Sequence, residues 1–350
     1  MEYLKYRIDK SYDWNYDNVP DPVDSPTRAT GLGDGEWEYV GLPIESPIGV
    51  AAGPLLNGKW ILYYASLGFS VLTYKTVRSS ARKCYTTPNL TPVQTGQLDG
   101  SPGTLPASNK LTDSWAVSFG MPSKKPSIWR ADVESTRGRL PQEKILAVSI
   151  VGTMQPGWTI DELADDYALC AKWAVESGAD CVETNFSCPN VATCDGQLYQ
   201  NATDAGTIAE RVRAAIGSTP LLIKIGHFPN LGNNPEPAKG MLRAIGPHAN
   251  AVVTTNSVAT TVAGPDGQLL FDGQPRGICG DAIRQASIRQ TSVLRRIIDR
   301  LSLPLQIVGV GGISNVDHAR AYLDAGAQAV QLATSVMLDP LVGQRIRSDL

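Results

Sequence analysis

Residues 305–334 read LQIVGVGGISNVDHARAYLDAGAQAVQLAT. Two short apolar runs, LQIVGVGG (305–312) and AQAVQLAT (327–334), flank a stretch whose Ala319, Tyr322 and Leu323 share one face at helical spacing, and Gly326 supplies a helix stop. A strand, a helix and a second strand in this span make one βαβ unit, whose crossover brings the second strand parallel to the first. Gly311 and Gly312 follow the first of these strands directly. Without side chains there, the backbone can approach an anion closely, and Ser314 or Asn315 can cap the next helix.

The same rhythm runs back along the chain. PIGVAAG (47–53), SVLTYKT (70–76), ILAVSIVG (145–152), DCVETNF (180–186), LLIKIG (221–226) and NAVVTTN (250–256) precede the pair above, making eight runs. Helical patterns stand between most of them, such as IDELADDYALCAKWAVESG before the fourth. Near-continuous apolar runs alternating with amphipathic helices mark a parallel sheet buried on both faces. Eight such strands point to an α/β fold of the closed (β/α)8 TIM barrel type; an open doubly wound sheet would carry fewer strands and a Gly-rich turn after the first. The expected organisation is an irregular N-terminal arm over residues 1–42, with GLGDGEWEYVG turning a short hairpin, followed by a barrel over 43–350. Two connections, 77–144 after the second strand and 257–290 after the sixth, exceed simple βα loops. They are expected as long loops over the C-terminal face, where such barrels keep their active sites.

The chain has 350 residues, 42% of them hydrophobic, so it can bury a large core, and 31 Lys and Arg against 34 Asp and Glu give a net charge of −3. That balance lacks the clustered positive charge that nucleic acid or an anionic membrane surface requires, so a small-molecule partner is expected, with no nucleic acid and no membrane. No run approaches the ~18 apolar residues of a membrane span, and MEYLKYRIDK has no apolar signal core, which makes the cytoplasm the expected compartment. The six cysteines, Cys84, Cys170, Cys181, Cys188, Cys194 and Cys279, include no C-x2-C pair, so no metal site or iron–sulfur cluster is expected. His227, His248 and His318 show no ligand spacing and read as structural or surface residues.

Three clusters carry chemistry. The loops after the seventh and eighth runs fall where barrels of this type hold a phosphate, with Gly311 and Gly312 on one side and Ala333 and Thr334 on the other; a plain tight turn is the alternative. TNFSCPN after the fourth run places Asn185, Ser187, Cys188 and Asn190 at the rim. Carboxamides there suit the edge of a planar amide-containing ring such as a pyrimidine, and the thiol can act as a general base; an ordinary polar loop is the alternative. Lys75 and Lys224 lie inside apolar patterns near the C-terminal ends of the second and fifth runs, where a charge is costly unless an anion or a developing negative charge faces it. Asn256 adds a third carboxamide.

PIGVAAGPLLNG, SVLTYKTV, NFSCPN, LIKIG, TTNSV, GICGDAIR and VGVGGISNVDHARAYLDAGAQAVQLATSVMLDP, in this order from about residue 43 to about residue 340, together resemble the dihydroorotate dehydrogenase family, including the related pyrimidine-reducing domain of dihydropyrimidine dehydrogenases. The resemblance implies an FMN across the barrel mouth, its phosphate on Gly311, Gly312, Ala333 and Thr334 and on the Gly280 segment, with Ala51, Ala52 and Gly53 against the isoalloxazine. It also implies that Lys75 and Thr76 touch the flavin, that Lys75 reaches the substrate region, and that Lys224 sits at the flavin's pyrimidine end, where positive charge favours the anionic reduced form. Asn185, Asn190, Asn256 and Ser257 would hold the substrate ring, with Asn185 and Asn256 also reaching the flavin. Cys188 stands where the soluble class 1 enzymes carry a catalytic cysteine and the membrane-associated class 2 enzymes a serine. The implied reaction is proton removal from a ring carbon by Cys188, with hydride transfer between the adjacent carbon and flavin N5. One position departs from the pattern: VSFGMPS puts Val117 where the family has a substrate-binding Asn, which suggests a different ring substituent, with Asn109 or Ser118 as compensating candidates.

Other readings stand beside this one. They are an FMN oxidoreductase of another dihydropyrimidine or a cyclic enamide, a flavin-free phosphate-binding barrel with Lys75 or Lys224 as a Schiff-base amine, and a flavin or nucleotide sensor with Cys188 idle. The electron acceptor is not written in the residues: there is no cysteine cluster for an internal relay and no amphipathic helix for quinone docking, which leaves fumarate, oxygen, a nicotinamide or a partner subunit open. A homodimer is expected only by analogy with other barrels.

Overall fold

The computed structural model describes residues 5–23, 37–101, 103–187 and 197–350. Eight parallel strands close in sequence order: β1 Ile48–Val50, β2 Val71–Val77, β3 Ile145–Ile150, β4 Cys181–Asn185, β5 Leu221–Lys224, β6 Ala251–Thr254, β7 Gln306–Val310 and β8 Ala329–Leu332, with β8 paired back onto β1. The expected (β/α)8 barrel is the observed fold. The strands are buried almost throughout because alternate residues fill the barrel while the others pack under the helices. The fourth helical pattern forms Ile160–Glu176, opened by a capping box of Thr159 and Glu162. The last quoted unit forms helix Val316–Asp324, where Asn315 Oδ1 accepts the His318 amide at 2.9 Å.

The two ends of the barrel differ. At the N-terminal end an antiparallel hairpin, Trp37–Tyr39 with Leu42–Ile44, drives Tyr39, Val40 and Ile44 against Val71, Ile145, Ala147 and Cys181, so this end is a solid apolar plug. The hairpin turns at Val40 and Gly41, at the very end of the Gly-rich stretch in which a turn was expected. At the C-terminal end, both long connections contribute strands to one five-stranded sheet, ordered Leu90–Pro92, Ser114–Val117, Arg276–Gly280, Val258–Ala263 and Thr104–Pro106. The expected long loops thus pair with each other into a roof.

The described part of the arm packs onto the barrel's outer core. Tyr6 lies 6.0 Å from Trp60 between ring centroids, Tyr12 lies 6.1 Å edge-on from Phe119, and Trp60 Nε1 donates to Asn15 O at 2.9 Å. Beneath the roof, the loops after β2 and β3 are tied by Arg78, which is 0% exposed. Its Nη1 donates to Gly152 O at 2.8 Å and Thr153 Oγ1 at 2.7 Å, and its Nε donates to Met121 O at 3.2 Å. Arg78→Ala leaves two buried carbonyls without their donor, at about 1–3 kcal/mol each. A lowered urea midpoint corresponding to ~3 kcal/mol is expected, and a midpoint equal to that of the parent protein would contradict the role given to Arg78.

Candidate active site

A closed parallel barrel brings every strand's C-terminal end to one rim, so side chains far apart in sequence meet at one height. The last residues of β4 and β5, Asn185 and Lys224, stand opposite each other in the strand register. Lys75 reaches the same level from β2, on the inward side that Val71 and Thr73 share lower down. Both lysines are buried, at 8% and 5% exposure, and Lys75 Nζ lies 5.3 Å from the centroid of the Phe119 ring. Asn185 is held by its own loop: its Oδ1 accepts from the Ser187 amide at 3.1 Å and from Ser187 Oγ at 3.2 Å, while its Nδ2 points at Met121 Sδ, 3.7 Å away.

One cavity at the mouth gathers Ala51, Ala52, Gly53, Lys75, Thr76, Asn185, Lys224, Asn256, Ser257, Ala333 and Thr334. A second, sharing Asn256, Cys279, Ala333 and Thr334 with the first, adds Gly280, Gly311 and Gly312. The two cavities form one continuous concavity; Asn109, Ser118 and Ser187 do not line it, and Ser118 Oγ instead accepts from Arg276 Nε at 3.0 Å. Cys188 and Asn190 lie outside the described residues. The glycines are structural necessities of the second cavity. Gly280 has φ +91°, and a Cβ there would collide with Asp113 O; at Gly312, with φ +70°, a Cβ would stand 2.9 Å from Gly280 O. The loops after β6 and β7 thus meet backbone to backbone.

Several lining residues were not found from the sequence. Leu90, Trp115, Phe119 and Met121 come from the roof and its edges, and Cys279 from the roof strand Arg276–Gly280. Their strands have only three to five residues and carry no usable period-two signal. Val117 is set opposite Gly277 across the roof sheet and faces the first cavity. His227, read from the sequence as structural or surface, lines a third opening with Ser187, Tyr199 and Ser257; burial and the Arg289 guanidinium lower its pKa. Burial pushes the Cys279 thiol up, against the pull of the Thr334 hydroxyl that donates to its Sγ at 3.3 Å. Among the described residues no group of three or more His, Cys, Asp or Glu is placed to hold a metal ion, and no helix is long and apolar enough to cross a membrane.

The comparison with known proteins decides what kind of barrel this is. The family model described as dihydroorotate dehydrogenase matches residues 36–350. The chain belongs to the dihydroorotate dehydrogenase family. It is 30% identical to the dihydroorotate dehydrogenase of Dictyostelium discoideum over 97% of this chain and 95% of that one. It is 29% identical to the dihydroorotate dehydrogenase (quinone) of Bordetella pertussis over 88% of this chain and 83% of that one. Its fold is that of Eimeria tenella DHODH, solved in complex with ferulenol, with a TM-score of 0.73 at 18% identity, covering 96% of this chain and 87% of the other. As a dihydroorotate dehydrogenase family member it is an oxidoreductase acting on CH–CH groups.

The described thiols are unsuited to act as bases. Cys170, Cys181 and Cys279 are all raised by burial, and Cys84 is pushed up to about 11 by the same cause. Iodoacetamide at pH 8 is expected to leave the fully buried Cys170 and Cys181 unmodified in the native protein and to label them after unfolding, as read by peptide mass mapping. Native-state labelling of either would refute the packing that buries them beneath the helices and inside the barrel.

Proposed function

We propose that the protein is an FMN-dependent, dihydroorotate dehydrogenase-like enzyme in which Cys188 removes a ring proton from a dihydropyrimidine. The observation that carries this reading is the junction of two cavities: one has two buried lysines and a set of carboxamide and hydroxyl groups, and the other is a glycine cradle that no Cβ could enter. That donor set fits a cofactor with an anionic tail and a flat ring. Gly280, Gly311 and Gly312, with Ala333 and Thr334, would hold the phosphate through exposed backbone. Ala51, Ala52 and Gly53 offer a thin wall to the ring, and Thr76, Asn185 and Asn256 offer polar contacts along it. FMN, when bound, supplies the hydride acceptor.

The rest of the chemistry falls to the chain. Asn185, Asn190, Asn256 and Ser257 pair with the amide edges of the substrate ring, each carboxamide giving both a donor and an acceptor. Cys188 follows directly on Ser187, whose amide and hydroxyl are fixed to Asn185, so the thiol's loop starts from a pinned residue. As the thiolate, Cys188 takes the C–H proton; in the reverse direction the thiol returns it. Lys75, buried under Phe119, faces the junction between substrate and ring. The barrel over 43–350 carries this chemistry, and the arm over 1–42 buttresses it by packing Tyr12 on Phe119.

The decisive measurement is the visible spectrum. The purified protein is expected to show a flavin band that dihydroorotate or a related dihydropyrimidine bleaches in the absence of oxygen; a colourless protein that takes up no added FMN would end this reading. Cys188→Ala is expected to keep the band and slow the bleaching by on the order of 10²–10⁴-fold. With the thiol intact, the bleaching rate should fall about tenfold per pH unit below the thiol's pKa, near ~8.5 for a free cysteine, because only the thiolate accepts the proton.

A second reading is favoured by Val117. Its apolar side chain lines the cavity with Leu90 and Phe119, which suits a ring that carries no polar substituent on that edge. Dihydrouracil is then expected to give a higher kcat/KM than dihydroorotate; the reverse order would leave the first reading alone. A short-chain quinone, the acceptor in the name of the Bordetella pertussis relative, is the first oxidant to offer the reduced protein.

A further inference from the structure

Below the cavity floor the barrel interior holds a carboxylate that neither the fold nor the reaction above accounts for. Glu183 lies on β4 two residues before Asn185, on the same inward face, at 1% exposure. Its neighbours across the strand register are Ser149 on β3 and Leu222 on β5. Neither carboxylate oxygen accepts a hydrogen bond from any described residue. Its ion-pair partner is Lys224, with Nζ 4.0 Å from Oε1.

Packing alone argues against such a group. Cys181, Ala147 and Val71 below it and Leu222 beside it are all apolar and close-packed. A hydrophobic side chain of the same volume would avoid the desolvation of a charge, and replacing buried ion pairs in that way is often neutral or stabilising. At 4.0 Å the pair is coupled by charge, yet the distance exceeds a hydrogen bond, so the ammonium's three donors are not consumed by the carboxylate. The lysine is thus anchored from below with its protons left for acceptors on the cavity side.

We propose that Glu183 is a positioning residue for Lys224: it holds the ammonium at the cavity floor and offsets its charge, and so sets how strongly the site favours electron gain by the group above. This rests on the FMN reading. With Glu183 ionised, the floor near Lys224 is close to neutral; without it, a full positive charge faces the ring, and the reduced, more negative state becomes easier to reach.

The test uses the FMN-loaded protein and two readouts that do not depend on turnover. In Glu183→Gln, which keeps the side-chain volume, the reduction equilibrium is expected to shift at least tenfold toward the reduced state, about 30 mV more positive for a two-electron couple. Binding of sulfite, a nucleophile that adds to oxidised flavin and leaves negative charge on the ring, is expected to tighten by a similar factor. Glu183→Asp, which keeps the charge, should return both values toward those of the parent. If the glutamine variant does not fold, the aspartate variant carries the test alone, because drawing the carboxylate back by one methylene should shift both readouts in the same direction by a smaller amount. A potential and a sulfite affinity equal to the parent's in Glu183→Gln, or in Glu183→Asp where the glutamine variant does not fold, would overturn the role of Glu183. A parent protein that takes up no FMN would instead overturn the cofactor reading.

Discussion

Closure of eight parallel strands is the constraint from which the site follows. A closed eight-stranded barrel is only wide enough for side chains, so its interior is a packed core, and free space exists only beyond the strand ends. Here the N-terminal end is sealed by Tyr39, Val40 and Ile44, which leaves the C-terminal rim as the one place among the described residues where the barrel core opens to a cavity. Strand register then decides chemistry. Asn185 and Lys224 share a level because β4 and β5 pair residue for residue from Val182 with Leu221 upward. A slip of one position would turn every inward residue of a strand toward the helices, burying a lysine among Leu and Ile side chains.

The roof converts a rim into an active site. Strand ends alone would leave Lys75 and Lys224 in water, where an ammonium is well hydrated and its field is screened. Trp115, Phe119 and Met121 from the connection after β2, and Cys279 from that after β6, exclude that water. Each charge on the floor then acts in a medium of low effective dielectric, where its interactions are several-fold stronger. Because each connection supplies strands that pair with the other's, Arg276–Gly280 against Ser114–Val117, the two connections are joined into one sheet. The arm adds a third support, through Tyr12 against Phe119.

What the residues disclosed in advance divides along the same line. The barrel could be read because its signal is local and repeated: each strand is a buried run of three to seven residues, and each is separated from the next by a helix or a long connection. Gly311, Gly312, Lys75, Lys224 and the N-x-x-C-x-N loop could be read because each breaks that pattern at a strand end. The roof could not. Its strands are three to six residues long, and the pairings that join the two connections reach more than 150 positions, as Val117 to Gly277 and Thr104 to Thr261. Non-local pairing leaves no periodicity in either segment. Glu183 was overlooked for a related reason: in DCVETNF it reads as the polar member of a rim strand, and only closure of the barrel shows that it points inward.

The polar content of the barrel rises along its axis. The lowest inward layer is apolar, and above it Gln331 spans to Thr73 at 3.0 Å, with Tyr39 OH at 3.4 Å on its other side. Glu183 follows, and Lys75, Asn185 and Lys224 form the top. Burying such groups opposes folding, and a barrel selected for stability alone would fill these levels with branched aliphatic side chains. The gradient is tolerable because the apolar plug and the helical ring supply the stabilising burial elsewhere, which lets the upper levels be shaped by what must be bound there. Lysine and glutamate on adjacent buried levels also limit each other: the pair keeps the interior near neutrality, whereas either charge alone would draw water toward the core. That mutual dependence ties the electrostatics of the rim to the layer beneath it, so the reactivity of the mouth is set partly by residues that no ligand touches.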